Sequence, residues 1–178
     1  NGVAMNYESG IFRVRELREA DANSLFNMYS GSCSSAKYIS TLPHDSVETT
    51  LSKIKHWRKF YLENAPKVCV YGVASIPDDF VFGLVVFVFN EQYAEIHFGI
   101  SDQFSNQGIA SELCGSGLQY LKSLGVNEVR TNPFIEHLAS IRVLEKSGFS
   151  NHGTLKNYAR FPTLGDGLFH CADMRISL

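Results

Sequence analysis

The sequence predicts an α/β (α+β) fold built on a mixed, mostly antiparallel sheet, and two observations lead to this prediction. Three apolar segments typical of strands follow one another between residues 67 and 101, and adjacent strands of this kind form antiparallel meanders. Before and after them, strand-like and helix-like spacings of apolar residues alternate along the chain. Such alternation is typical of helices packed on a sheet.

The composition indicates one soluble globular domain that covers residues 1–178. The chain is 44% hydrophobic and 19% charged, which is close to the average for such domains. Its four cysteines are widely spaced, so we expect reduced, mostly buried thiols and a cytoplasmic protein. We expect no membrane association, since no apolar run is long enough and residues 1–10 do not resemble a signal peptide. Met5 is a candidate native start, with residues 1–4 as an expression remnant.

The charge distribution argues against a nucleic-acid partner. The formal net charge is -2, the pI is near 6.3, and the lysines and arginines are scattered, whereas nucleic-acid binders carry a clustered basic face. The densest basic stretch, residues 53–59, places Ile54 and Trp57 at helical spacing. We interpret it as the solvated face of an amphipathic helix.

The first half of the chain predicts two helices and four strands. A strand around Phe12 and Val14 precedes a helix that follows Asp21, and a second helix over 48–61 begins with Ser46 as its cap. The remaining strands are predicted in residues 67–75, 80–90 and 94–101, the first two of them joined by a turn at 76–79.

The second half predicts two further helices. One begins near Ile109 and stops at Gly125, and the other lies within 135–149 and ends at Gly148. A strand within 126–134 separates these helices, and after the second we expect a loop and a final strand that ends at Leu178.

The loop "SNQG", residues 105–108, leads into the helix that begins near Ile109. A helix start offers unpaired backbone N–H groups and the positive end of the helix dipole, which together bind anions and phosphates. The same string is also compatible with an ordinary strand-to-helix turn. This loop taken alone is therefore compatible with two interpretations, a phosphate site and an ordinary turn.

Two segments, residues 94–111 and 137–149, together resemble the GNAT superfamily of N-acetyltransferases. The resemblance is closer to its Rim-like branch, whose named members acetylate the N-termini of ribosomal proteins. The matching positions are Gly108 and Ala110 in the first motif, and Ser140, Glu145, Lys146, Gly148 and Phe149 in the second. Ser105 replaces the usual Arg or Gln, and His137 replaces the usual Asn. The resemblance implies a GNAT fold of about 6–7 strands and about four helices, with splayed central strands.

The resemblance also implies acetyl-CoA as cosubstrate, with no metal. Backbone N–H groups would surround the pyrophosphate along Asn106, Gln107, Gly108, Ile109, Ala110 and Ser111. Main-chain groups of Phe98, Gly99 and Ile100 would pair with the pantetheine arm, and one of these N–H groups would polarise the thioester carbonyl. His137 would replace the hydrogen bond of the usual Asn to the cofactor or substrate.

The proton acceptor has two candidates on one strand. Glu95 occupies the position of the family's strand glutamate and could act as a base through a water, or it could be a solvated residue at an open sheet edge. His97 points to the same face two residues later, and histidine is the side chain whose charge ordinarily changes close to neutral pH. Packing or forming a wall of the substrate site is its alternative role.

The sequence offers two candidate proton donors, Ser140 and Tyr158. Many superfamily members use a tyrosine as the proton donor at the position of Leu144. A leucine has no proton to donate, so this chain must use another group. The resemblance assigns Ser140 a hydrogen bond to the CoA sulfur, whereas a serine inside a helix can also bond back to its own backbone. Tyr158 is a second candidate acid.

We expect the acceptor to be a primary amine, most favourably a protein N-terminus. An α-amino group has a pKa of about 8 and lysine one of about 10.4, so a protein N-terminus is neutralised more easily. A small-molecule amine is the first alternative, and a CoA-binding module without catalysis is the second. The sequence leaves a monomer and a homodimer equally open.

Overall fold

The computed structural model describes residues 3–178. The strands are β1 (Tyr7–Glu8), β2 (Phe12–Glu16), β3 (Val68–Ser75), β4 (Val81–Phe89), β5 (Ala94–Ile100), β6 (Glu128–Thr131), β7 (Ser150–Ala159) and β8 (Phe169–Ser177). The α-helices are α1 (Ala22–Leu25), α2 (Val47–Phe60), α3 (Ile109–Ser123) and α4 (Leu138–Lys146). Helix α1 continues directly into a π-helix over Phe26–Ser30.

The eight strands form one sheet in the order β1-β2-β3-β4-β5-β6-β8-β7. Every neighbouring pair is antiparallel except β5 and β6, which are parallel. Strands β4 and β5 are paired along the whole length of β5. Strands β5 and β6 share only two residue pairs, Ala94 with Val129 and Glu95 with Arg130. Beyond Glu95 the two strands part, and the middle of the sheet is open along the carboxyl half of β5.

Helices lie on both faces of the sheet. On one face α3 packs against β5 so closely that a Cβ at Gly117 would lie 2.6 Å from Cδ1 of Ile96. On the other face α1, the π-helix and α2 pack on β3 and β4 through Leu25, Tyr29 and Ile54. Both layers consist of buried apolar side chains, and their packing fixes the position of β4 and β5. No helix within residues 3–178 is long and apolar enough to cross a membrane.

A cluster of ion pairs fixes the entry of the chain into α1. Arg15 on β2 makes a bidentate pair with the buried Asp21, with both N–O distances at 2.9 Å. Its Nε donates to Asp79, in the turn between β3 and β4, at 3.0 Å. The backbone N–H of Arg18 donates to Asp21 at 2.7 Å. The cluster therefore ties β2, the start of α1 and the β3–β4 turn to one another.

The structure confirms the α/β (α+β) fold with splayed central strands and four α-helices, but the sheet has eight strands and not about six or seven. Strand β1 has two residues, too few to show a period. Strand β7 lies at the sheet edge, and its side chains are exposed almost throughout, so it lacks the apolar alternation by which a strand is recognised. The sequence therefore predicted a loop where β7 lies.

Alanine substitutions at two glycines of α3 are expected to change the free energy of unfolding in opposite directions. At Gly115 a Cβ would meet nothing within 4 Å, so we expect Gly115→Ala to raise the free energy of unfolding by about 0.5–1 kcal/mol. At Gly117 the Cβ would overlap Ile96, and we expect Gly117→Ala to lower it by about 1–3 kcal/mol. Urea unfolding followed by circular dichroism measures both. A stabilised Gly117→Ala protein would contradict the close packing of α3 on β5.

Candidate active site

The carboxyl half of β5 has a free main-chain edge. The N–H of Ser101 donates to the carbonyl of Phe82 on β4 at 2.8 Å, and main-chain groups of successive residues point to alternate sides of a strand. Gly99 therefore bonds towards β4, while Phe98 and Ile100 direct their N–H and C=O groups to the side where β6 has parted. These groups are placed to pair with an extended ligand that enters between the strands.

Gly99 lies where the helical layer comes closest to β5. A Cβ at this residue would lie 2.1 Å from the hydroxyl oxygen of Tyr29, so only glycine fits beneath this ring. Tyr29 belongs to the π-helix, and single-turn π segments are frequent at functional sites. Burial raises the pKa of Tyr29 to about 12. A protonated hydroxyl therefore lies beside the open edge of β5.

The loop between β5 and α3 contains two residues with positive φ. These are Asn106, with φ 62°, and Gly108, with φ 78°. A Cβ at Gly108 would meet no atom within 4 Å, so the backbone conformation, and not a lack of space, favours glycine here. The hydroxyl of Ser105 donates to the carbonyl of Asp102 at 2.8 Å. Ser105 therefore shapes the loop from within.

Helix α3 presents its first turn to this loop. Gly108 is its N-cap, and the first helical hydrogen bond runs from the N–H of Glu112 to the carbonyl of Gly108 at 3.2 Å. In the part of the chain that the structure describes, the N–H groups of Ile109, Ala110 and Ser111 have no acceptor, as the first turn of a helix requires. Free donors and the positive end of the helix dipole are suited to an anionic group.

Glu95 and His97 form a hydrogen-bonded pair on β5. Nε2 of His97 lies 2.9 Å from Oε1 of Glu95, and Oε2 of Glu95 is 3.5 Å from the amide nitrogen of Asn90. Both side chains leave the face opposite to Ile96, which is buried beneath α3. The hydrogen bond from His97 lowers the pKa of Glu95 and outweighs the opposing effect of burial. Glu95 is therefore an ionised carboxylate at neutral pH, held by the imidazole.

The hydroxyl of Ser140 differs from those of Ser116, Ser123 and Ser147. Ser116, Ser123 and Ser147 each donate to a carbonyl of their own helix. Ser140 on α4 is half-buried and makes no such bond within residues 3–178. Leu144, one turn later, is fully buried in the core and offers no proton. Ser140 is therefore the hydroxyl of α4 that is free to bind a ligand.

His137, the N-cap residue of α4, stacks on Tyr38. Their ring centroids are 3.9 Å apart and the planes differ by 21°. The imidazole does not cap the helix. Burial, together with the charge of Lys37, lowers the pKa of His137, so its ring is neutral at pH 7. His137 therefore packs against the loop that carries Tyr38.

This loop, residues 31–46, contacts both sides of the opening between β5 and β6. At one end the hydroxyls of Ser34 and Ser35 donate to the carboxylate of Asp102, just after β5, at 2.7 and 3.2 Å. Further along, Tyr38 stacks on His137, which follows β6. The loop is thus held on one side by hydrogen bonds and on the other by an aromatic contact.

Tyr158 on β7 lies close to the same open face of the sheet. Its hydroxyl is 3.5 Å from Oδ1 of Asn132, just after β6, and its side chain is exposed. Burial raises its pKa, and the negative charge of Glu95 raises it further. Tyr158 is therefore a protonated hydroxyl at neutral pH, electrostatically coupled to Glu95.

The structure joins some of the predicted site residues and leaves others separate. Glu95 and His97 touch each other, and the edge of β5 runs directly into the glycine loop and α3. No hydrogen bond joins Ser140 to either of them within the described chain. Sequence reasoning missed Tyr29 and Tyr38. Gly99 was the one available signal for Tyr29, because a glycine inside a strand often marks a close approach.

A splayed mixed sheet with a glycine loop before a helix is the architecture of N-acetyltransferases. The family model described as acetyltransferase (GNAT) domain matches residues 12–150. The chain belongs to the GNAT family and is an acetyltransferase, which confirms the expectation from its motifs.

Known proteins similar to this chain are also acetyltransferases. The uncharacterized N-acetyltransferase YoaA of Bacillus subtilis is 25% identical over 149 residues, which are 82% of each chain. Ribosomal-protein-S5-alanine acetyltransferase from Vibrio fischeri has a TM-score of 0.83 at 14% identity, with 97% of this chain and 96% of that one covered. Spermidine N-acetyltransferase from Vibrio cholerae, in complex with CoA and spermine, has a TM-score of 0.74 at 19% identity, with coverage of 93% and 95%.

Proposed function

We propose that the protein transfers the acetyl group of acetyl-CoA to a primary amine, most favourably the N-terminal amine of a protein. The observation that carries the proposal is the parting of β5 and β6 after Glu95, which frees the main-chain groups of Phe98 and Ile100 immediately before the Gly108 loop. A ligand bound there would meet main-chain partners along its arm and free N–H donors at its phosphates. Acetyl-CoA has this sequence of groups.

The likeness in fold to CoA-binding enzymes supports the cosubstrate. The spermidine N-acetyltransferase from Vibrio cholerae was solved with CoA, and its fold matches over nearly the whole of this chain. We assign the pyrophosphate to the N–H groups from Asn106 to Ser111 and the pantetheine to the edge of β5. The N–H of Phe98 or Ile100 would polarise the thioester carbonyl, and such a donor contributes about 10²- to 10³-fold in rate.

Ser140 and His137 complete the proposed cosubstrate site. The hydroxyl of Ser140, which makes no bond to its own helix, would donate to the sulfur as it leaves. The neutral His137 would contact the cosubstrate or the acceptor from the start of α4, with its ring fixed by Tyr38. Any proton removed from the amine would pass towards the sheet face that carries Glu95 and His97.

A protein N-terminus as acceptor is supported by chemistry and by likeness of fold. The α-amino group is the amine that is most easily neutral at pH 7, and the Vibrio fischeri enzyme of the same fold is a ribosomal-protein-S5-alanine acetyltransferase. This corresponds to the Rim-like branch. We place the enzyme in the cytoplasm as a single domain, consistent with its free cysteines, three of which are buried.

Binding of acetyl-CoA is tested by thermal unfolding with a matched pair of variants. At a ligand concentration of 100 Kd the wild-type protein is expected to gain about 2.7 kcal/mol. Asparagine tolerates the φ of 78° at Gly108, whereas valine is strained there. We therefore expect Gly108→Asn to keep most of this gain and Gly108→Val to lose most of it. A wild-type protein that saturating acetyl-CoA leaves unstabilised would refute the proposed function.

The acceptor is identified by following CoA thiol release with a panel of amines. We expect turnover with peptides that carry a free N-terminus, and none with the same peptides after N-terminal acetylation. Spermidine and single amino acids form the small-molecule arm of the panel. Higher kcat/KM for that arm than for every peptide would overturn the N-terminal assignment while leaving acetyl transfer intact.

A further inference from the structure

Glu95 is poorly arranged to take a proton itself. Its two carboxylate oxygens face His97 and Asn90, at 2.9 and 3.5 Å, and the hydrogen bond from His97 lowers its pKa further below that of an ordinary glutamate. A group that titrates so far below neutral pH is a weak base for an amine. The carboxylate is instead placed to fix the ring of His97.

His97 is closer than Glu95 to the open part of the cleft. The last pair between β5 and β6 is Glu95 with Arg130, so His97 is the first residue on this face after the strands part. Its side chain is 45% exposed, and two residues later on the same face comes Gly99, beneath the Tyr29 hydroxyl. An acceptor amine that approaches the free edge of Phe98 meets the imidazole before it meets the carboxylate.

The hydrogen bond to Glu95 also sets the tautomer of His97. Because the carboxylate is an acceptor, Nε2 of His97 carries the proton and donates it to Oε1. Nδ1 then holds a free lone pair, and it has no partner among residues 3–178. A carboxylate that holds one nitrogen of an imidazole while the other accepts a proton is the arrangement of general-base histidines.

We propose that His97 is the general base of acetyl transfer and that Glu95 is its positioning residue. The inference rests on the proposed function. The acceptor nitrogen forms a bond to the acetyl carbon as the carbon–sulfur bond breaks, and the electron pair of that bond leaves on sulfur. The proton of the nitrogen passes to Nδ1 of His97, and the negative Glu95 stabilises the imidazolium that results.

Few other titratable groups face this pair. Tyr158 from β7 is coupled to Glu95 through its charge. Arg130 on β6 lies beside Glu95 in the sheet, but its guanidinium donates to Glu128 at 2.6 Å and stacks over the ring of Tyr93 at 4.0 Å. On β4 the residue opposite His97 is Val86. Glu95 is the one charged group that bonds to the imidazole in the described chain.

The test is the rate of CoA release by His97→Ala, with the acceptor that wild-type protein uses best. We expect kcat/KM to fall by about 10²- to 10⁴-fold, with stabilisation by acetyl-CoA unchanged. Free imidazole should restore activity to His97→Ala in proportion to its concentration and leave the wild-type rate unaffected. His56→Ala, which removes an exposed histidine of α2, is the matched control and should keep the wild-type rate.

Glu95→Gln tests the positioning role through the pH dependence of kcat/KM. A merely structural role of Glu95 would leave that dependence unchanged. Loss of the carboxylate destabilises the imidazolium, so the ascending limb of kcat/KM against pH should shift to lower pH, with a smaller loss of rate than in His97→Ala. A His97→Ala rate within threefold of wild type, or an inactive variant without imidazole rescue and an unshifted Glu95→Gln profile, would overturn the proposal. If wild-type protein itself shows no turnover with any amine, the proposed function falls and this assignment falls with it.

Discussion

Gly99→Val is expected to lower the free energy of unfolding by about 3 kcal/mol and to abolish acetyl transfer. A side chain at this residue would overlap the hydroxyl oxygen of Tyr29 at 2.1 Å and its ring carbon Cζ at 2.8 Å. The ring is buried in the packed layer of α1 and α2 and has no room to retreat. Either β5, which carries the free edge, or the π-helix beside that edge must move. Urea unfolding and thiol release measure the two effects.

A double-mutant cycle tests whether Tyr29 causes this effect. In a Tyr29→Phe background the closest atom is removed, although the ring carbon at 2.8 Å remains, so Gly99→Val should become less destabilising without becoming neutral. Gly10→Val, where a Cβ would meet nothing within 4 Å, is the control and should stay within about 0.5 kcal/mol of wild type. Equal destabilisation in both backgrounds would show that the tyrosine hydroxyl is not the obstacle.

Asp21→Ala is expected to lower the free energy of unfolding by about 3–5 kcal/mol. The substitution removes a buried carboxylate that pairs with Arg15 at 2.9 Å and accepts the N–H of Arg18 at 2.7 Å. Arg15 keeps Asp79 as a partner at 3.0 Å, so we expect the lower end of this range. Urea unfolding measures the loss. The control is Glu19→Ala, whose ion pair with Lys55 spans 3.8 Å between two exposed side chains and contributes at most about 1 kcal/mol.

The same cluster predicts how stability depends on pH. Burial raises the pKa of Asp79, but the hydrogen bonds and charges of Arg15 and Arg18 outweigh burial and lower it below the ordinary value of 3.8. A carboxyl whose pKa is lower in the folded state stabilises the protein fully above its unfolded pKa. That contribution is lost as the pH falls through the folded pKa. Unfolding midpoints should therefore decline below about pH 4, and a flat profile there would contradict the ion-pair geometry.

Much of the fold was predictable because apolar periodicity is strong where elements are half-buried. Helix α2 begins after Ser46, whose hydroxyl accepts the N–H of Thr49 at 3.3 Å, and Gly125 and Gly148 take positive φ after α3 and α4. The exposed edge strand β7 carried no such period. The sequence also did not predict the π-helix over Phe26–Ser30, because its side chains fit the spacing of an ordinary α-helix almost as well.

The candidate site was predictable only in part, for a related reason. On the proposed function the edge of β5 and the Gly108 loop would act through backbone groups, which short motifs can mark. The stacking of Tyr38 on His137 depends on how an irregular loop crosses the sheet. The path of such a loop cannot be predicted from the periodicity of apolar residues. The alternation of side chains along β5 predicted that Glu95 and His97 share one face of the sheet. It could not show that the two side chains bond to each other. The structure supplied that contact, and it changes which of the two we expect to act as base.

The brief pairing of β5 with β6 has a consequence for the amount of this enzyme in a cell. Strands β1–β5 and β6–β8 form two half-sheets that are joined in the sheet by two residue pairs. On the proposed function, acetyl-CoA would fill the gap and add its binding free energy to the stability of the fold. A cell short of acetyl-CoA would then hold a larger unfolded fraction, which proteases remove. The abundance of the enzyme would follow the supply of its own cosubstrate.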